Sequence, residues 1–217
     1  MYQAVIFDLD GTLLNTLTDL ANSCNYALAQ QGLPTHSVES YKLFVGNGRD
    51  KLIERALGTY YTPQRFDRTR SINDAHYLQH KEDSTAPYAG IVPLLETLAK
   101  KGIRCAVASN KPNQFAAEMV QKYFTGLIPQ DYAFGLVDGG SPKPSPNLIH
   151  KIIEKLNLEK SQVLYVGDSG VDMQTAVNAG VDSCGVLWGF RDREELTQNG
   201  AKYLAQTAEE LQNIILE

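Results

Sequence analysis

Near the start of the chain stands Ala4-Val5-Ile6-Phe7-Asp8-Leu9-Asp10-Gly11-Thr12, an apolar run that stops at two acids and a glycine. Four consecutive apolar residues, β-branched at two positions, predict a short strand buried on both faces. The acids then fall at its carboxyl end, followed by a turn. Taken alone, Asp-x-Asp-Gly-Thr is also an ordinary turn signature, because Asp and Gly favour turns. Its meaning depends on what the rest of the chain places beside it.

Downstream of this strand, residues 15–85 read as helical. Leu17, Leu20, Ala21, Cys24 and Leu28 recur at helical spacing, with Thr16 as N-cap and Asp19 three residues later in the pattern of a capping box. Gly32-Leu33-Pro34 ends that helix, and further helices are expected near 37–45, 49–57 and 63–82. No strand is expected in this stretch. After Pro87 the rhythm changes. A helix over Val92, Leu95, Leu98 and Ala99 leads to a strand at 103–108. A helix over Phe115–Tyr123 leads to a weaker strand near 133–137. Ser145-Pro146 opens a helix with proline in its first turn. A strand at 163–166 is followed by a helix from Asp172 to Ala179, capped by Gly180, and by a strand at 183–188. Thr207-Ala208-Glu209-Glu210 reads as a capping box for a last helix. Strand–helix alternation predicts an α/β fold with a parallel, Rossmann-like sheet covered on both faces. The core is assigned to residues 1–14 and 86–217, with 15–85 inserted as a small helical cap domain.

Composition narrows the function classes. The 217 residues are 43% hydrophobic and 21% charged, with a net charge of −5. This is the make-up of a globular protein, and it argues against a nucleic-acid surface. No run reaches the roughly 18–20 apolar residues of a membrane span, and no signal peptide is expected. Cys24, Cys105 and Cys184 are too scattered for a disulfide framework, which suggests a reduced cytoplasmic setting. Residues 15–85 hold eight basic and eight acidic residues, so the whole negative charge lies in the core.

Ligands of open α/β sheets bind beyond the carboxyl ends of the strands. Asp8 and Asp10, Ser109 in Ala108-Ser109-Asn110-Lys111, Lys143 in Pro142-Lys143-Pro144, and Asp168 and Asp172 in Gly167-Asp168-Ser169-Gly170-Val171-Asp172 all fall at such ends. Four carboxylates in one place repel by a few kcal/mol per pair at ~4 Å, even at an effective dielectric near 20. A cation is therefore expected. An all-oxygen donor set without His or Cys selects a hard ion, Mg²⁺, which also leaves positions for phosphate. Ser109, Lys143 and backbone N–H groups after Asp8 are placed to hold phosphate oxygens. The histidines, His36, His76, His80 and His150, read as surface residues, and Trp188 as core packing.

With these four motifs in order, the chain resembles the haloacid dehalogenase superfamily of phosphotransferases, and the likeness spans the core. The resemblance implies that Asp8 is a nucleophile forming an aspartyl-phosphate, and that Asp10 is the acid and then the base. It implies that Thr12, Ser109, Asn110 and Lys143 bind the phosphoryl group, Lys143 also sharing in catalysis. Asp8, Asp10 (through its backbone carbonyl), Asp168 and Asp172 would surround Mg²⁺. The second acid at position 10 favours phosphoryl transfer over dehalogenation. Within the superfamily, Val45-Gly46-Asn47-Gly48 and the overall pattern are most similar to the bacterial phosphoglycolate phosphatases, and Gly48 and Arg49 are placed to read a substrate's second anionic end. Asn15 departs from the family, where Asp is frequent. The implied partner is a small phosphorylated metabolite, acted on by a monomer or homodimer. The alternatives are a β-phosphoglucomutase-like enzyme, a pyrophosphatase or nucleotidase of the same superfamily, and a phosphate-binding module that has lost catalysis.

Overall fold

The computed structural model describes residues 1–217. In chain order it contains β1 (Ala4–Phe7), β2 (Leu14–Asn15), α1 (Leu17–Ala29), α2 (Tyr41–Phe44), α3 (Arg49–Leu57), α4 (Pro63–His80), β3 (Ala86–Pro87), α5 (Ile91–Lys100), β4 (Arg104–Pro112), α6 (Asn113–Tyr123), β5 (Ala133–Leu136), α7 (Asn147–Leu156), β6 (Val163–Gly167), α8 (Gly170–Ala179), β7 (Asp182–Val186), α9 (Arg193–Gln198), β8 (Tyr203–Ala205) and α10 (Ala208–Leu216). The chain divides into two compact units, Met1–Leu14 with Pro87–Glu217, and Asn15–Ala86.

The first unit is built on a six-stranded parallel sheet in the order β5-β4-β1-β6-β7-β8. Every residue of β1 and of β6 is buried, as a sheet covered on both faces requires. Ala4, Ile6, Ala106, Ala108, Val163 and Tyr165 pack on one face against Ile149, Ile152 and Ile153 of α7 and Ala176 and Ala179 of α8. On α5 the buried residues are Ile91, Leu94, Leu95 and Leu98. The strand order reverses at β1: the chain moves outward through β4 and β5, then returns to the other side of β1 through β6, β7 and β8. Such a switch point opens a crevice at the carboxyl ends of the central strands. Register makes those ends level. Phe7 lies opposite Val107 on one side and Val166 on the other, so Asp8, Ser109 and Asp168 stand within a residue of one another along the strand direction.

The second unit consists of α1 to α4. Thr62 caps α4 by accepting a hydrogen bond from the Arg65 N–H, with Pro63 in the first turn. Tyr41 is fully buried, and its hydroxyl donates to Asn25 Oδ1 at 2.8 Å.

Several local expectations need correction. Thr16 makes no side-chain cap bond to α1. Asp19 is instead turned inward, 1% exposed, where it accepts from the N–H groups of Ser84 and Thr85 and the Thr85 hydroxyl at 2.7–3.0 Å. It thus ties α1 to the end of the segment that closes the unit. The box at Thr207 is half formed: Thr207 accepts from the Glu210 N–H, while Glu210 reaches back to the Gln206 N–H. Pro146 is the N-cap of α7 and lies outside its first turn. The strand placed at 183–188 ends at Val186, and α9 and β8 were not expected. β8 is a three-residue edge strand, half-buried at two positions, and so lacks a usable apolar signal. Trp188 is half-buried, and its indole N–H donates to the Thr12 carbonyl at 3.0 Å, fastening the loop after β1.

Candidate active site

β1 ends on Asp8, and the loop that follows turns sharply. The Leu9 carbonyl accepts from the N–H groups of Thr12, Leu13 and Leu14, while the Gly11 N–H donates to Leu14. These four N–H groups are therefore used inside the loop, and the phosphate-holding role expected of backbone amides after Asp8 does not extend to them. Gly11 has φ +87°, a left-handed conformation that glycine adopts without strain. An added Cβ there would collide with Asp168 Oδ2 and meet Phe190 at 2.8 Å. The loop thus lies directly against the acid that follows β6.

Three acids meet at this edge. Ligand oxygens of Asp8, Asp168 and Asp172 all lie within 4.8 Å of one another. Asp8 is 7% exposed, Asp168 2% and Asp172 0%. The carboxylate of Asp10, expected in the same cluster, is turned elsewhere: Lys111 Nζ lies 3.0 Å from its Oδ1 and 3.3 Å from its Oδ2. Lys111 lies two residues beyond Ser109 in β4, and no feature of its own in the sequence marks it.

The loop before α7 delivers Lys143 into the cluster. Its Nζ lies 2.7 Å from Asp172 Oδ1, 2.8 Å from Asp8 Oδ1 and 3.0 Å from the Tyr165 hydroxyl. Asn110 fixes the lysine's backbone, accepting from the Lys143 N–H at 2.7 Å and donating to its carbonyl at 3.3 Å. These bonds tie the Asn110 side chain to the backbone of Lys143. Ser109 is buried, and its Oγ accepts from the Lys111 N–H at 3.2 Å.

The three acids differ in what holds them. Both oxygens of Asp172 are well supplied with donors. Oδ1 faces Lys143 and the Tyr165 hydroxyl, and Oδ2 accepts from the Ser169 N–H and hydroxyl in a capping box that opens α8. Asp168 accepts from the Phe190 N–H at 2.8 Å and, at 3.3 Å, from the Thr12 hydroxyl. Asp8 Oδ1 is ion-paired to Lys143 at 2.8 Å and has no donor besides it. Burial pushes Asp8 up to about 6, with Lys143 opposing and Asp172 and Asp10 adding to it. Burial and the charges of Asp172 and Asp8 hold Asp168 well above the usual carboxylate range. Burial works against the charge of Lys143, but Asp172 and Asp8 outweigh it and its pKa stands well above that of an ordinary lysine. One cation thus faces three buried carboxyl groups. A hard divalent ion such as Mg²⁺ fits this all-oxygen donor set.

The haloacid dehalogenase-like hydrolase model matches residues 5–186, from β1 to the end of β7. The chain belongs to the haloacid dehalogenase-like hydrolases. Among curated members, the phosphoglycolate phosphatase of Pectobacterium atrosepticum is 36% identical over 205 residues, covering 90% of this chain and 86% of that protein. The phosphoglycolate phosphatase of Vibrio parahaemolyticus is 32% identical, covering 97% and 95%. A crystal structure from Lactobacillus delbrueckii subsp. bulgaricus, described as a candidate phosphoglycolate phosphatase, superposes with a TM-score of 0.93 at 33% identity, covering 99% and 98%. A structure from Bacteroides vulgatus described as a candidate β-phosphoglucomutase has a TM-score of 0.79 at 18% identity, which is a likeness of fold alone.

Within this hydrolase the remaining expected residues, Gly48 and Arg49, lie in the 15–86 unit. Gly48 caps α3 with φ +87°, and Arg49 is held at 2.8 Å by Asp50 and by Asp74. The histidines are anchored. His36 and His150 bond to carbonyls of Ala56 and Ala179, His76 to the Ser23 hydroxyl and His80 to Asp83. No helix of the protein is long and apolar enough to cross a membrane.

Proposed function

We propose that this hydrolase is a Mg²⁺-dependent phosphomonoesterase working through an aspartyl-phosphate on Asp8. The observation that carries the reading is Asp8 Oδ1: a buried carboxylate oxygen with no donor besides the Lys143 ammonium, grouped with Asp168 and Asp172. In the first step an Asp8 oxygen bonds to phosphorus, the ester P–O bond breaks, and the leaving oxygen takes a proton from the Asp10 carboxyl. In the second, water attacks the same phosphorus and gives a proton to the Asp10 carboxylate. The bond to Asp8 breaks, and inorganic phosphate leaves.

Lys143 balances charge between Asp8 and the incoming phosphate, with Asn110 acting through it. Thr12 and Ser109 complete the phosphoryl pocket. Asp8, Asp168 and the Asp10 carbonyl would hold the ion directly, while Asp172, already saturated by donors, orients Lys143 and the ion's water shell. Bound there, the ion would screen the repulsion between the acids and a phosphate dianion. The 15–86 unit is assigned the role of a cap, with Gly48 and Arg49 reading the second anionic end of the substrate. Phosphoglycolate is the proposed substrate. Its support is the naming of near full-length relatives at 31–36% identity. Three buried free thiols suit a reducing cytoplasm.

The test is phosphate release from a panel of small phosphate esters, phosphoglycolate included, with Mg²⁺ and with EDTA. Turnover is expected only with Mg²⁺, and Asp8→Asn is expected to abolish it while Mg²⁺ still stabilises the variant against heat. Full activity in Asp8→Asn removes the aspartyl-phosphate. Isomer formation from a hexose 1-phosphate without phosphate release would favour the mutase alternative.

A further inference from the structure

Each acid of the Asp8/Asp10 pair faces a buried lysine. Lys143 faces Asp8, and Lys111 faces both oxygens of Asp10 at 3.0 and 3.3 Å. The side chain of Lys111 is 2% exposed and that of Asp10 13%, so the pair is largely removed from water. A lysine with so little access to solvent is held in place by the carboxylate it faces. Its backbone is also fixed. Its N–H is held by Ser109 Oγ, Pro112 follows it, and the register between β4 and β5 shifts between Ala108 and Pro112, where Ser109, Asn110 and Lys111 lie. Irregularities of this kind re-aim side chains at strand ends. Here one turn of strand sends Asn110 to the backbone of Lys143 and Lys111 to Asp10.

We infer that Lys111 is a positioning residue for the hydrolytic half of the reaction, holding the Asp10 carboxylate in place to accept the proton of the attacking water. The inference rests on the phosphomonoesterase reading above. Once Asp8 carries a phosphoryl group, the negative charge beside Asp10 has grown, and an unheld carboxylate two residues along would turn away from it. Lys111 opposes that by binding both oxygens. The first half-reaction depends on Lys111 less when the leaving group departs without protonation, as p-nitrophenolate does.

The experiment is stopped-flow release of p-nitrophenolate from p-nitrophenyl phosphate with Mg²⁺, for wild type, Lys111→Met, Lys111→Gln and Lys111→Arg. Lys111→Met is expected to lower steady-state turnover by about 10- to 100-fold, within the span of general acid–base effects. A burst of one p-nitrophenolate per enzyme should remain, because hydrolysis of the aspartyl-phosphate becomes slow. Lys111→Arg should recover most of the turnover. In an Asp10→Asn background, the same Lys111→Met change should slow the reaction no further. Should Lys111→Met fail to fold, Lys111→Gln is read in its place. Equal loss of burst rate and steady-state rate would overturn the inference, as would an equal loss in the Asp10→Asn background. A wild type that releases no p-nitrophenolate and no phosphate from any ester overturns the phosphomonoesterase reading, and this inference with it.

Discussion

Replacing Lys143 by Met tests the electrostatic account of the site without enzymology. The ammonium lies 2.7 Å from Asp172 and 2.8 Å from Asp8, in a residue 3% exposed. At an effective dielectric of about 20, each contact is worth ~6 kcal/mol of Coulomb attraction. The cost of desolvating the ammonium offsets much of the sum. Removing one partner of such a buried pair typically costs about 3–5 kcal/mol, because the other charges stay behind. Met keeps the apolar stem, so little of the loss comes from an empty cavity. For a chain of this length the loss corresponds to a fall in Tm of roughly 6–20 °C. The assay is urea and thermal unfolding in EDTA, followed by circular dichroism. Adding Mg²⁺ should then stabilise Lys143→Met more than wild type, since the ion takes over part of the neutralising charge. At 100 times its Kd, a ligand adds about 2.7 kcal/mol. A variant within about 0.5 kcal/mol of wild type in EDTA refutes the argument, because it would mean that the three acids do not need a cation.

Two further substitutions probe the frame. Gly11→Ala should abolish phosphate release and cost roughly 1–3 kcal/mol, since the left-handed backbone strains any other residue and the new methyl collides with Asp168 Oδ2. Wild-type activity and melting would show that this loop is not packed as described. Asp19→Ala should cost about 3 kcal/mol in urea unfolding by stranding the N–H groups of Ser84 and Thr85 and the Thr85 hydroxyl. A loss under about 1 kcal/mol would count against this tie.

The parallel core was legible because a strand buried on both faces writes itself as an apolar run. Ala4–Phe7 and Val163–Gly167 are such runs, and the residues that end them carry the acids. Elements at the margin write less. Tyr203–Ala205 is too short to show a period, and α9 is a charged six-residue helix. Asp192 and Glu195 did offer a signal for α9: Asp192 accepts from the Glu195 N–H, the local pattern of an N-cap. Asp19 shows the opposite failure. Its spacing from Thr16 satisfied a local rule, yet its partners lie 65 and 66 residues away. A buried carboxylate with long-range donors outweighs a cap that water could replace.

The same distinction separates the two lysines of the site. Lys143 stands in a loop that the family pattern singles out, so its role was accessible through resemblance. Lys111 follows Ser109 and Asn110 at the end of a strand, where a lysine reads as solvated surface. Its meaning comes only from the pairing of β1 with β4, which brings together residues 101 apart in the chain. Asp8 and Asp10 look equivalent in sequence, and the sheet makes them different. Asp8 is drawn into the carboxylate cluster beside Lys143, while Asp10 faces a second lysine outside it. A nucleophile and a proton carrier two residues apart need that asymmetry. Neighbouring strands, more than the motif itself, supply it.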